Sequence, residues 1–304
     1  MNIGKLSFSE IIAVGFERRN VLFAAQWLFL LFFSSAALSI LSAVLGSNGA
    51  AFWATAVDVT ARVFAVIIAI VISLGAYALA KASIAKTKKV DPIAAIKALF
   101  WKTLGALIIL ILAAAVVLAA AYGIGFLVKV PYVGLPIMAL LFVPAVAVFV
   151  LTSVFFLVGS KLLFAVLVDK PKASAFATVK SLWAITTKAP EKLFFNFVLS
   201  FLPIGFAALS IFVLLGVLAT LPYLAFGWAF PLYPLLQFAS QLGFAGLISY
   251  SISCALNYII DIAGGFISVL VGLGFFGILS YGLAYVVSVS AAVYYSIYLD
   301  ASKK

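Results

Sequence analysis

Residues 104–127 read LGALIILILAAAVVLAAAYGIGFL, and no charge falls between Lys102 and Lys129. A helix crosses a bilayer core of roughly 30 Å with about 20 apolar residues, so this stretch alone is long enough to span. Working outward, runs of the same kind occupy Val21–Leu45 and Val63–Leu79 before it, then Leu135–Phe164, Leu193–Leu218 and Phe266–Leu299 after it. The expectation is an all-α, polytopic helical membrane protein with about six transmembrane helices. A polar break at Gly46-Ser47-Asn48-Gly49 separates the first two runs.

The composition supports the same class. Of 304 residues, 67% are hydrophobic and 9% charged, with a mean hydropathy of +1.33. A soluble domain is roughly half apolar and a quarter charged. Folding cannot hide this much apolar surface from water, which excludes a soluble globular protein. The runs are continuous, without two-residue alternation, which excludes an outer-membrane barrel. There is no histidine and a single cysteine, Cys254. His-based triads, His metal ligands and an intrachain disulfide are therefore excluded.

The chain carries 19 Lys+Arg against 8 Asp+Glu, a net +11. In a chain of membrane spans, that excess points to an anionic membrane surface rather than to nucleic acid. Glu10, Glu17, Arg18 and Arg19 precede the first apolar run, an order unlike a cleavable signal peptide, and predict a retained, cytoplasmic N-terminus. With six spans, the inside segments become 1–20, 80–103, 161–192 and 300–304, which hold 17 of the 19 basic residues. Only Arg62 and Lys129 fall outside, as the positive-inside rule requires of a multi-pass protein in a cell inner membrane with both termini cytoplasmic. A seventh crossing over 235–260 would send Lys303 and Lys304 outside. That stretch, which carries Gln241, Asn257 and then Asp261, reads instead as re-entrant or interfacial.

Each inside segment before an odd-numbered span reads as a short amphipathic helix. The first has Ser7 and Glu10 placed as a capping box, with Phe8, Ile11, Ile12 and Phe16 on one face. The second opens with Asp91-Pro92, an N-cap followed by proline at the first helical position, and carries Ile93, Ile96 and Phe100. The third follows Asp169-Lys170-Pro171 and carries Phe176, Val179, Leu182 and Trp183. The near-constant spacing of Phe8, Ile93 and Phe176 suggests three tandem units, 1–85, 86–168 and 169–304, in one membrane domain. The last unit has an outer-face insertion near 220–262.

The segment Val166-Leu167-Val168-Asp169-Lys170-Pro171-Lys172-Ala173-Ser174-Ala175-Phe176-Ala177-Thr178-Val179-Lys180-Ser181-Leu182-Trp183 precedes a span. It resembles the loop-and-helix signature of the membrane domain attached to some glycerophosphodiester phosphodiesterases, and of YciC-like uncharacterised integral membrane proteins. The ending Tyr294-Tyr295-Ser296-Ile297-Tyr298-Leu299-Asp300 resembles the aromatic close of those domains. The 304 residues hold no phosphodiesterase barrel, so the resemblance implies a fold and a membrane location and lends no catalytic residue.

Lys86, Lys88, Lys89, Lys97, Lys170, Lys172 and Lys180 sit beside the amphipathic helices and are the candidate lipid-headgroup ligands. Any single lysine of this kind can equally serve only to set topology, but Lys97 and Lys180 occupy equivalent positions in the repeat. Asp58 and Arg62, four residues apart, are placed to pair on one helix face. Gln241, Asn257 and Asp261 would line a polar pocket if 235–260 re-enters the membrane, and would face water if it does not. Gly264-Gly265, Gly272, Gly274 and Gly277 have the small-residue spacing of close helix packing. No phosphate-cradling loop, metal-ligand spacing or catalytic acid pair is present in the sequence, so the expectation is a non-enzyme without metal or cofactor. Two readings stay open. One is a scaffold or interaction protein that engages anionic phospholipid, a membrane-protein partner or its own copies. The other is a transporter or channel-like carrier of a lipid or small amphiphile.

Overall fold

A computed structural model describes residues 2–87, 90–127, 146, 152, 155–156, 158–188, 190–226 and 266–302. A two-stranded antiparallel hairpin, β1 (Asn2–Ile3) and β2 (Leu6–Ser7), opens the chain. Helices follow: α1 (Phe8–Gly15), α2 (Arg18–Ser47), α3 (Ala51–Ile84), α4 (Pro92–Leu127), α5 (158–169), α6 (Ala175–Lys188), α7 (Pro190–Phe226) and α8 (Phe266–Ser302). The protein is all-α and polytopic. Among the described residues, five helices are long and apolar enough to cross a membrane: Arg18–Ser47, Ala51–Ile84, Pro92–Ala120, Pro190–Ile211 and Gly277–Ser302. Most of the expected fourth span, Leu135–Phe164, lies outside the described residues, as do Gln241, Asn257, Asp261, Lys88, Lys89 and Gly264-Gly265.

Local chemistry explains the helix boundaries. Ser7 and Glu10 form the expected capping box: the Ser7 N–H donates to Glu10 Oε2 at 2.8 Å while the Ser7 hydroxyl receives the Glu10 N–H. Asp91 Oδ1 receives the Ile93 N–H at 2.9 Å. Ser174 Oγ receives the Ala177 N–H at 3.2 Å and starts α6. Between α2 and α3, Gly49 takes a φ of +77°, and Ala50 N donates back to Leu45 O at 2.9 Å. This closes the hairpin at the expected polar break with a left-handed cap.

Several expected boundaries move. α3 begins at Ala51, not Val63, because Asp58 and Arg62 interrupt the apolar run without interrupting the helix. α4 runs unbroken from the Asp91 cap through the third span, so the second inside helix and its span are one element. Asp169 ends α5 rather than opening the next helix. α7 continues past Leu218 through Pro222 to Phe226, since membrane helices tolerate interior proline. The N-terminal hairpin has no counterpart in the sequence reading.

The chain packs as two compact units drawn from distant segments, 1–17 with 73–204 and 288–304, and 18–72 with 205–287. In the second, Val21, Ala24, Leu28, Phe32 and Ala36 of α2 meet Ile68 and Ile72 of α3 and Leu279, Leu283 and Ala284 of α8. In the first, α6 packs against α4, with a Gly105 Cβ position 3.3 Å from Ala175. Burial is uneven: the most apolar windows of α3 and α8 are 61% and 67% buried, against 17% for α2 and for α4. α4 turns Ile111, Leu112, Val116 and Leu118 outward. That is the two-sided apolar surface of a helix solvated by acyl chains.

Two of the expected close-packing glycines, Gly274 and Gly277, do not meet a neighbour. A Cβ on Gly274 or Gly277 would meet open space, whereas one on Gly282 would lie 2.9 Å from Ile211. Gly4 has a φ of +65° and its Cβ position is 2.6 Å from Ser296 O, while that of Gly15 is 2.4 Å from Val289 Cγ2. Spacing cannot tell which face of a helix meets a neighbour, and here the contact falls elsewhere. Gly15→Ala is expected to lower stability by about 1–3 kcal/mol through overpacking, and Gly274→Ala to be neutral or slightly stabilising through helix propensity. Detergent-micelle unfolding of the two variants checks this contrast.

Candidate functional site

Among the described residues, a connected polar cluster centres on Asp169, in the unit formed by 1–17, 73–204 and 288–304. Asp169 is the last residue of α5, where the helix dipole disfavours a negative charge. Lys81, from the end of α3, answers both partial charges at that terminus. Its Nζ lies 3.2 Å from Asp169 Oδ1 and donates to the Val168 carbonyl at 3.1 Å. From α8, the Tyr298 hydroxyl donates to Asp169 Oδ2 at 2.8 Å and that of Tyr295 to Oδ1 at 3.3 Å. The two phenol rings lie with centroids 5.9 Å apart.

The same stretch of α8 anchors the N-terminus. Ser296 Oγ accepts from the backbone N–H groups of Lys5 and Leu6, each at 2.9 Å, and donates to Ile3 O at 2.9 Å. Ser296 and Ile3 are both fully buried, and the one hydroxyl partners three backbone groups of the hairpin there. On α3, Tyr77 OH donates to the Lys161 carbonyl of α5 at 2.7 Å. Lys102 Nζ reaches the Pro171 carbonyl in the α5–α6 turn. The segments around Asp169 and around Tyr295 are thus in direct contact.

Burial alone would raise the Asp169 pKa. The hydrogen bonds from Tyr298 and Lys81, the Lys81 charge and the Tyr295 hydroxyl outweigh it and hold the carboxyl below its ordinary 3.8. At the exposed end of α1, the Ser7 backbone N–H, and then its hydroxyl, hold Glu10 below its ordinary value. Comparison of this chain with known protein families, curated proteins and solved structures gives no match. The site therefore stands on its own geometry.

The sequence-derived lysines divide by position. Lys97, on the first turns of α4, and Lys180, on α6, are both exposed. Each stands between exposed apolar side chains on one helix face: Ile93 (52% exposed) and Trp101 (75%) flank Lys97, and Phe176 (69%) and Trp183 (50%) flank Lys180. Lys170 and Lys172 are exposed in the α5–α6 turn. Lys86 caps α3 with a φ of +54°. The expected apolar stripe of α6 is split, because Leu182 is fully buried and packs near Gly159. Trp183, although half exposed, also sets its ring edge against Phe155 at 5.0 Å. Asp58 and Arg62 stand one turn apart on an exposed part of α3, and the ion pairs the structure does show lie elsewhere.

Sequence reasoning did not assign a role to Lys81, Asp169, Tyr295 or Tyr298, nor to the pair Lys192–Asp300 at 2.7 Å. The available signal was an acid at the end of one apolar run and a tyrosine pair three apart in another. The lowered Asp169 pKa means that this carboxylate contributes stability above the unfolded-state value of about 3.9, and that the contribution is lost as pH falls through the folded value. Asp169→Asn is expected to melt at lower temperature at pH 7 and to flatten the acid limb of the Tm–pH curve. Tyr298→Phe should cost about 1–2 kcal/mol, the loss of one hydrogen bond to a charged acceptor. Thermal melts of the detergent-solubilised variants between pH 3 and 7 test both.

Proposed function

We propose that this is a non-enzymatic scaffold or interaction protein of the cell inner membrane that engages anionic phospholipid from its cytoplasmic side. The observation that carries the reading is the repeated face on α4 and α6, with an exposed lysine between exposed apolar residues: Ile93-Lys97-Trp101 and Phe176-Lys180-Trp183. Tryptophan belongs at the membrane–water interface, and each lysine near an anionic leaflet contributes about 1 kcal/mol. A helix placed this way buries its apolar side chains at the acyl boundary and holds its ammonium at headgroup level.

The charge distribution supports an orientation for the six-span reading. Under the positive-inside rule, 17 of 19 basic residues on one side of six spans put both termini in the cytoplasm. The polar helix caps at Ser7, Asp91 and Ser174, spaced almost evenly, support the three-unit repeat. The resemblance to the phosphodiesterase-attached and YciC-like membrane domains fits this reading as a family placement. The carrier reading needs a polar or amphipathic cavity open to one side of the membrane, and no specific observation favours it.

Relative lipid affinity can be read from tryptophan quenching by brominated phosphatidylglycerol against brominated phosphatidylcholine. Replacing Lys97 and Lys180 together by glutamine is expected to reduce the preference for the anionic lipid by up to about thirtyfold, two such charges combined. An unchanged preference would sink the proposal.

A further inference from the structure

The structure holds a second basic site, at the junction of α6 and α7, that the sequence reading did not single out. A cavity of about 250 Å³ is lined by Ile185, Lys188, Lys192, Leu193, Asn196, Asp300 and Ala301. Lys188 ends α6 and is exposed. Lys192 lies in the first turn of α7 and is tied to Asp300 of α8 at 2.7 Å. Asn196, one turn further on the same face, is only 8% exposed, and its amide has no hydrogen-bond partner among the described residues. Its polar atoms are not sealed from solvent and open onto the cavity, where the amide is available to a ligand.

We infer that this cavity is a binding site for a phosphate ester, and that its occupant is the headgroup of one phospholipid. Three kinds of donor converge there. The opening turn of α7 has unsatisfied backbone N–H groups and the positive end of a helix dipole. Lys188 is a cation with no ion-pair partner among the described residues. The Asn196 side chain offers two N–H donors and a carbonyl. Asp300 is already neutralised by Lys192; it fixes that ammonium at the rim rather than cancelling Lys188. Pro190–Ile211 is long and apolar enough to cross the membrane, so its first turns sit at headgroup depth. Phe194 and Phe195 beside the cavity are 50% and 62% exposed, a surface suited to acyl chains. The inference rests on the proposed lipid engagement and assigns it a discrete subsite, separate from the Lys97 and Lys180 faces.

Native mass spectrometry of the full chain in mild detergent, titrated with phosphatidylglycerol, phosphatidylethanolamine or phosphatidylcholine, tests it. Parallel calorimetric titrations with inorganic phosphate and glycerol phosphate test the soluble source. The expected result is one phospholipid retained per chain, with affinity falling about tenfold in Lys188→Gln and in the isosteric Asn196→Asp, the loss of one charge-assisted donor. Lys97→Gln/Lys180→Gln should leave that single lipid in place. Soluble phosphate binding that depends on the same two residues, without a retained lipid, would keep the anion site and overturn its lipid occupant. Wild-type binding of every probe by both cavity variants would overturn the site, whatever the Lys97/Lys180 quenching experiment returns. Lys188 is exposed, so its variant tests binding even if Asn196→Asp is poorly folded.

Discussion

A carboxylate placed at the end of an apolar helix has to be neutralised where it stands, and Asp169 is where this protein meets that requirement. The chain around it is almost entirely apolar, and α5 already presents carbonyl groups at its C-terminus. Lys81 supplies a charge to the carboxylate and a donor to the Val168 carbonyl at once. Tyr298 and Tyr295 supply the remaining donors. These contacts fix the ends of α3, α5 and α8 against one another. Apolar packing between lipid-solvated helices is weakly directional, because lipid tails compete for the same surfaces. Polar pairing of this kind selects one register among many of similar packing energy. Ser296, within the same stretch of α8, extends the arrangement to the N-terminal hairpin by satisfying three backbone groups with one hydroxyl.

The sequence made legible whatever depends on neighbours in the chain. The capping box at Ser7–Glu10, the Asp91 cap and the turn at Gly46–Gly49 follow from local hydrogen-bond chemistry, and all three form. The membrane class follows from composition, and five membrane-length helices among the described residues bear it out. What depends on neighbours in space was much less legible. The Asp169 segment and the Tyr295–Tyr298 segment were each notable as sequence, but no local pattern says that residues 126 and 129 positions apart will share a proton donor and an acceptor. The glycines of α8 show the same divide. Gly274 and Gly277 have the right spacing for close approach, but Gly282 is the one that faces a neighbouring side chain. Charged residues also mislead about helix ends: Asp58 and Arg62 limit an apolar run, while the α3 backbone continues through them because exposed charges cost a helix little.

The lysines separate into two chemical populations, and the separation bears on function. Lys81 and Lys192 are spent on carboxylates of the chain itself, Asp169 and Asp300. Their positive charge is largely cancelled, so they add little to attraction for an anionic surface. Lys97, Lys172, Lys180 and Lys188 are exposed and have no ion-pair partner among the described residues. If lysine served only to orient the chain during insertion, any position in the inside segments would do, and nothing would favour a setting between exposed aromatic and aliphatic side chains. Lys97 and Lys180 have that setting on two different helices, at corresponding places relative to the Asp91 and Ser174 caps. Lys188 lacks it and instead adjoins a cavity lined by the Asn196 amide. On the proposed reading, the exposed lysines divide again: Lys97 and Lys180 meet the membrane surface in general, and Lys188 meets a single headgroup. The first should answer to the charge of the leaflet and weaken with salt. The second, set beside fixed donors at the cavity, should answer to the identity of the phosphate ester as well.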